Sequence, residues 1–129
     1  PGEGYHFSIS HCGDYAAAIV SKTNRVGIDV EMPVDTILRI QHKFISENER
    51  KRFNVLPDTD SKLPTMIWSA KEAVFKWYGE GSVDFRQHIQ LQGLNKTDES
   101  IDCYFEKTAT NLTIHYRFFD HLVLAWIVN

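Results

Sequence analysis

A chain of 129 residues, 43% hydrophobic and 24% charged, has the size and composition of one globular domain, and this excludes a disordered or fibrous polymer. The formal charge of -3 lacks the basic excess of a generic nucleic-acid binder. The longest apolar run, Leu122 to Val128, is far short of the ~20 residues of a membrane helix, so neither nucleic acid nor membrane is expected as a partner. Cys12 and Cys103 show no metal-ligand spacing and no dense disulfide framework, which is the pattern of free thiols in a reducing cytoplasm. The chain begins at Pro1 without a methionine, as expected of a processed chain, an expression scar or a cut from something longer.

Taken in order, the chain first alternates Phe7 and Ile9 with polar neighbours, turns at Gly13 and runs apolar again through Tyr15 to Val20. A second turn at Lys22 to Arg25 leads into Val26 to Glu31, so the opening predicts an antiparallel three-strand meander. Ile37, Ile40, Gln41 and Phe44 then fall at helical spacing and predict a helix over Asp35 to Ile45. Ser46 and Glu49 form a capping-box pattern opening a short helix through Phe53, followed by a polar loop over Pro57 to Pro64. The strongest helical signal is TMIWSAKEAVFKWYG, with Thr65 as its cap and Gly79 as its stop. Strands are expected at Phe85 to Leu91, Ile101 to Glu106, Leu112 to Phe118 and Leu122 to Val128. The whole is an α+β domain in which an antiparallel sheet packs against one long helix and receives its Ile67, Val74 and Trp77.

Two groups of residues carry chemistry. In VGIDVE, strand alternation sends Val26, Ile28 and Val30 to one face, expected to be the core, and Gly27, Asp29 and Glu31 to the other. The two carboxylates then stand ~6.5 to 7 Å apart at their Cα atoms, a repulsion that solvent tolerates but a cleft must relieve with a cation or a proton. An amphipathic strand with a solvated polar face has the same sequence. On the long helix, Glu72 and Lys76 stand at i and i+4 beside Trp68 and Phe75, which is either a surface ion pair or the third carboxylate of a set with Asp29 and Glu31. Magnesium suits such a set, because it takes hard oxygen ligands and commonly binds carboxylates together with substrate phosphates.

The motif pair Gly27, Asp29, Glu31 and then Trp68, Ser69, Lys71, Glu72, Ala73, Lys76 resembles the signature of the 4'-phosphopantetheinyl transferases, G-[IV]-D-x-E followed by [FW]-[STC]-x-K-E-[AS]-x-x-K. FSISHC is similar to the N-[IL]-S-H-[ST] strand that precedes this motif in the large, pseudo-dimeric members. Ser10 and His11 match it, while Ser8 and Cys12 depart from its asparagine and hydroxyl residue. The resemblance implies transfer of the phosphopantetheine arm of coenzyme A to a serine of an acyl or peptidyl carrier protein, the activity of a holo-acyl carrier protein synthase. It implies magnesium on Asp29, Glu31 and Glu72, coenzyme A phosphates on Ser10, His11 and Lys76, and Glu72 as the group that takes the serine proton. Glu49 stands where the family often has a glutamate near the metal, and the capping box explains it equally well.

In this reading residues 1–129 form a single domain, with 1–25 resembling the end of the first half of the large members and 26–129 the second half. An apolar sheet face or edge should then cover itself by self-association. A locally basic surface, Arg39, His42 and Lys43 with Arg50, Lys51 and Arg52, is expected to dock an acidic carrier. Two other readings stay open: an incomplete half-domain that binds coenzyme A or a partner without catalysis, and a magnesium-dependent phosphate-ester hydrolase.

Overall fold

The computed structural model describes residues 4–55 and 60–129. Its frame is a five-stranded antiparallel sheet of β3 (Val26–Glu31), β7 (Leu122–Val128), β6 (Thr110–Phe119), β5 (Ser100–Phe105) and β4 (Ile89–Asn95), in that order. The helix α3 (Lys62–Tyr78) lies on one face of it, burying Ile67, Ala70, Ala73, Val74 and Trp77. These meet Val123, Ala125 and Ile127 of β7 and Leu112, Ile114 and Tyr116 of β6 in one apolar cluster. The α+β class, the antiparallel sheet and the long helix are therefore as the sequence predicts.

The opening of the chain departs from the expected meander. Strands β1 (His6–Cys12) and β2 (Tyr15–Ser21) make a separate two-stranded sheet, and β3 pairs instead with β7 in the register Gly27 to Ile127 and Asp29 to Ala125. The physical reason lies in two serines. Ser8 Oγ accepts from Ile28 N and Ser10 Oγ accepts from Val30 N, each at 3.1 Å. The outer edge of β3 is thus capped by side chains that hold β1 one side chain away, and no ladder forms there. The polar side of the β1 alternation is consequently the inward one. Ser8 and Ser10 point inward, while Phe7 and Ile9 are 67% and 60% exposed.

A second correction follows from the same strand. Asp29 and Glu31 share a face with Gly27 as expected, but that face packs against α3 and is not the solvated one. A Cβ on Gly27 would collide with the Ala73 carbonyl oxygen and lie 2.7 Å from Trp77 N. Val26, Ile28 and Val30 are buried on the opposite face, outside the main apolar cluster. The absent side chain at Gly27 lets the helix approach closely enough to enclose the carboxylates.

Elsewhere the differences are at element ends. The expected helix over Asp35 to Ile45 resolves into α1 (Thr36–Ile40) and a 3₁₀ turn over Gln41–Lys43, and Ile40 of its stripe is exposed. The capping box is present: Ser46 Oγ accepts from Glu49 N and Glu49 returns the bond to Ser46 N, opening α2 (Glu47–Arg52). Of the expected loop over Pro57 to Pro64, residues 57–59 lie outside the described residues, while Lys62 to Pro64 are already helix. Asp60 Oδ1 accepts from Lys62 N at 2.9 Å, so Thr65 is a buried helical residue and not the cap. Pro64 costs nothing in the first turn, where its missing N–H would have no partner in the helix. At the other end Gly79 takes the left-handed conformation, φ 75°, and stops the helix as expected. Strand β4 starts at Ile89 because Asp84 Oδ1 gathers the Arg86 and Gln87 N–H groups into a turn.

Candidate functional site

The site forms where the middle of β3 passes under α3. Asp29 is nearly sealed, and Lys76 reaches back from the helix to place Nζ 3.1 Å from Asp29 Oδ1 and 3.2 Å from the Ile28 carbonyl. The Ser10 hydroxyl points at the same Oδ1, 3.4 Å away, and the Ser69 hydroxyl donates to the Asp29 backbone carbonyl at 3.3 Å. Asp29 Oδ2 is buried and has no hydrogen-bond partner among the described residues. An orphaned carboxylate oxygen in a closed place is costly unless something else binds it.

Glu31 and Glu72 complete the electrostatic picture. Burial pushes the Glu31 carboxyl up to about 8, helped by a hydrogen bond and repulsion from Asp29 and by repulsion from Glu72, against a hydrogen bond from Trp68 that lowers it. Glu72 is also raised, first by burial and then by Asp29, with Lys76 opposing. Three carboxyl groups therefore feel one another, with one ammonium nearby. Among the described residues no three acidic, histidine or cysteine side chains converge into a ready-made metal cage. The donor chemistry fits a hard divalent cation nonetheless: the oxygens are carboxylate, Asp29 Oδ2 accepts from no N–H or hydroxyl among the described residues, and a proton on Glu31 and the Lys76 ammonium are what relieve the repulsion until a cation replaces that proton.

Of the residues singled out from sequence, Asp29, Lys76 and Ser10 are in direct contact, and Glu31 and Glu72 lie near enough for Asp29 to add to the rise that burial gives their carboxyls. His11 sits exposed at the end of β1, paired in register with Ala16, and makes no side-chain hydrogen bond among the described residues. Glu49 has a different place. It is buried, accepts from Lys71 Nζ at 2.9 Å on Oε1 and from Leu91 N at 2.8 Å on Oε2, and closes the capping box. Lys71 spends its remaining protons on the Phe44 and Phe85 carbonyls, at 2.7 and 2.8 Å. The residues that sequence reasoning left without a role are Trp68, Ser69 and Lys71. All three lie in the same helical motif, and only the direction of each side chain reveals what it does.

Comparison with known proteins identifies the family. Residues 25–126 match the family model of the 4'-phosphopantetheinyl transferase superfamily. The chain is 31% identical over 120 residues to enterobactin synthase component D of Salmonella typhimurium, covering 88% of this chain and 44% of that protein. It is 27% identical over 124 residues to the putative 4'-phosphopantetheinyl transferase slr0495 of Synechocystis, covering 92% and 47%. Over 81 residues it is 31% identical to the 4'-phosphopantetheinyl transferase HetI of Nostoc, covering 60% and 34%. The chain thus spans less than half the length of these curated relatives. With the family model extending from just before β3 into β7, and so across both motifs that build the site, this chain belongs to the 4'-phosphopantetheinyl transferase superfamily.

Proposed function

We propose that this chain carries the acidic half of a phosphopantetheinyl transfer site, moving the phosphopantetheine arm of coenzyme A to a carrier-protein serine. The observation that carries this reading is the orphaned, buried Asp29 Oδ2 beside Glu31, Glu72 and Lys76. Asp29, Glu31 and Glu72 would hold magnesium, which when bound neutralises pyrophosphate charge and orients the reacting phosphorus. Lys76, tethered to Asp29 and partly open to solvent, supplies a further positive charge for a coenzyme A phosphate. Glu72 has a carboxyl raised by burial and by Asp29, which makes it a stronger base toward the serine hydroxyl than an ordinary carboxylate. As the serine oxygen bonds to phosphorus, its proton passes to Glu72 and the phosphoanhydride bond breaks, releasing adenosine 3',5'-bisphosphate. His11, exposed at the end of β1, is free to reach a phosphate.

The basic surface fits an acidic carrier in part. Arg39, His42, Lys43, Lys51 and Arg52 are exposed, Arg52 also donating one N–H to the Leu91 carbonyl, whereas Arg50 is half-buried and donates to Gln41. The free thiols of Cys12 and Cys103 suit a cytoplasmic setting. The exposed Tyr5, Phe7, Ile9 and Val20 of the β1–β2 hairpin suit self-association or cover by another polypeptide surface, which sedimentation at rising concentration would measure.

The test is transfer of a fluorescent coenzyme A arm to carrier protein by this chain with magnesium. Glu72→Gln should lower the rate by about 10²- to 10⁴-fold. Transfer, or coenzyme A binding, indifferent to magnesium and to both Asp29→Asn and Glu72→Gln would refute the reading. Turnover of coenzyme A without carrier would instead mark a hydrolase.

A further inference from the structure

A second polar concavity lies away from these carboxylates, between α2 and the start of β4. Its volume is about 250 Å³, and its walls include Asn48, Arg52, Arg86, Gln87 and Gln92, with Glu49 at its base. Arg52 Nη1 donates to the Leu91 carbonyl at 3.0 Å and Arg86 Nη1 donates to the His42 carbonyl at 2.9 Å. Each guanidinium is thereby anchored by one N–H, and a guanidinium has five. Among the described residues neither arginine is in an ion pair with a carboxylate. The one carboxylate in the wall is Glu49, and its charge is already answered by Lys71 and by the Leu91 and Ser46 N–H groups. The Gln90 amide protons are committed to the Gln87 carbonyl and to Glu106 Oε2, so the donors left facing the cavity belong mainly to the two arginines and to Asn48, Gln87 and Gln92.

The geometry points to a binding site for a small free oxyanion, of the phosphate or dicarboxylate class, held between Arg52 and Arg86. Two anchored guanidinium forks without acidic partners match the paired oxygens of such an anion. The cavity is smaller than the ~300 to 1,000 Å³ of sites that enclose drug-sized ligands, which selects against a nucleotide. This inference does not depend on the transfer reaction, since none of the cavity residues belongs to the Asp29, Glu31, Glu72 and Lys76 group.

The experiment is a residue-resolved ¹H–¹⁵N titration of the whole chain with inorganic phosphate, and separately with succinate, against chloride at matched ionic strength. The expected result is saturable movement of the Arg52 and Arg86 side-chain and Gln87 backbone signals with phosphate or succinate and not with chloride. The double variant Arg52→Gln with Arg86→Gln should weaken that binding by about tenfold or more, as loss of charge-assisted bonds requires. Lys51→Gln, which removes the same charge from the same helix, should leave it within about twofold. Movement that chloride reproduces, or that survives the double variant, would overturn the site. Displacement of phosphate from these signals by one equivalent of coenzyme A would overturn its independence, assigning the arginines to the coenzyme A site instead.

Discussion

Lys71 and Glu72 are neighbours on α3, and the environments they enter are opposites. Lys71 is fully buried and has three acceptors, Glu49, Phe44 and Phe85, so each of its protons is used. Glu72 feels the charge of Asp29 and in turn repels Glu31, while the Lys76 ammonium pairs with Asp29, whose Oδ2 accepts from no N–H or hydroxyl among the described residues. The first region is saturated: it ties the end of the 3₁₀ turn, α2 and the segment before β4 to the long helix. The second is short of positive charge, balanced within the fold only by Lys76 and by a proton on Glu31. The contrast teaches that a charged residue's role depends on whether its partners come from the fold or must arrive from solution.

The sharpest way to break this contrast is Lys71→Met. It leaves Glu49 buried without its cation and should cost about 3–5 kcal/mol, read as a lower denaturant midpoint at unchanged slope. Glu72→Gln removes a repelled charge and should leave the midpoint equal or higher while transfer collapses. If both substitutions destabilise alike, the two regions are not different in kind.

Next in size is metal linkage. Magnesium at ~100 times its dissociation constant should stabilise the chain by about 2.7 kcal/mol, and the effect should vanish in Asp29→Asn. Thermal melts with and without magnesium measure it, and Lys71→Arg should retain the increment even if its baseline falls.

Gly27→Ala tests the close approach that joins the two regions. The added methyl would meet the Ala73 carbonyl and Trp77 N, so the helix must shift, at about 1–3 kcal/mol. The shift should also loosen the Asp29 to Lys76 contact and lower transfer more than stability alone accounts for.

The smallest effect concerns Cys103, beside the buried pair. Burial pushes its thiol up to about 12, so the folded state holds the proton more tightly than the unfolded chain. The stabilisation that follows is complete below the ordinary value near 9 and is lost as pH rises from there through 12. At pH 8 a thiol reagent should modify the half-buried Cys12 and spare Cys103 until the chain unfolds. Equal labelling in the native state would mean that the region around Lys71 opens readily.

Much of this was legible from residue order because the signals are local. Periodicity located α3, the Ser46 to Glu49 spacing marked the capping box, and Gly79 marked the helix end. The two motifs likewise named Asp29, Glu31, Glu72 and Lys76, since a strand and a helix each impose a known spacing on their side chains. The pairing of β3 was not legible. Alternation shows that Asp29 and Glu31 share a face but carries no sign for which face is covered, and Gly27 decides it only once α3 is in place. The hairpin of β1 and β2 was legible, but its separation from β3 was not: Ser8 and Ser10 hold the inward positions through hydrogen bonds to the edge of β3, a contact across twenty residues.

The sequence alone thus determined the element types, the family and the identity of the charged groups, because these follow from short-range pattern and motif spacing. Tertiary structure alone decided that Lys71 meets Glu49, that Glu49 lies apart from the Asp29 contacts, and that Asp29 keeps an unpartnered oxygen. Those outcomes depend on which long-range neighbours exclude water from each carboxylate. Burial and charge pairing arise between segments distant in the chain, and no local pattern encodes them.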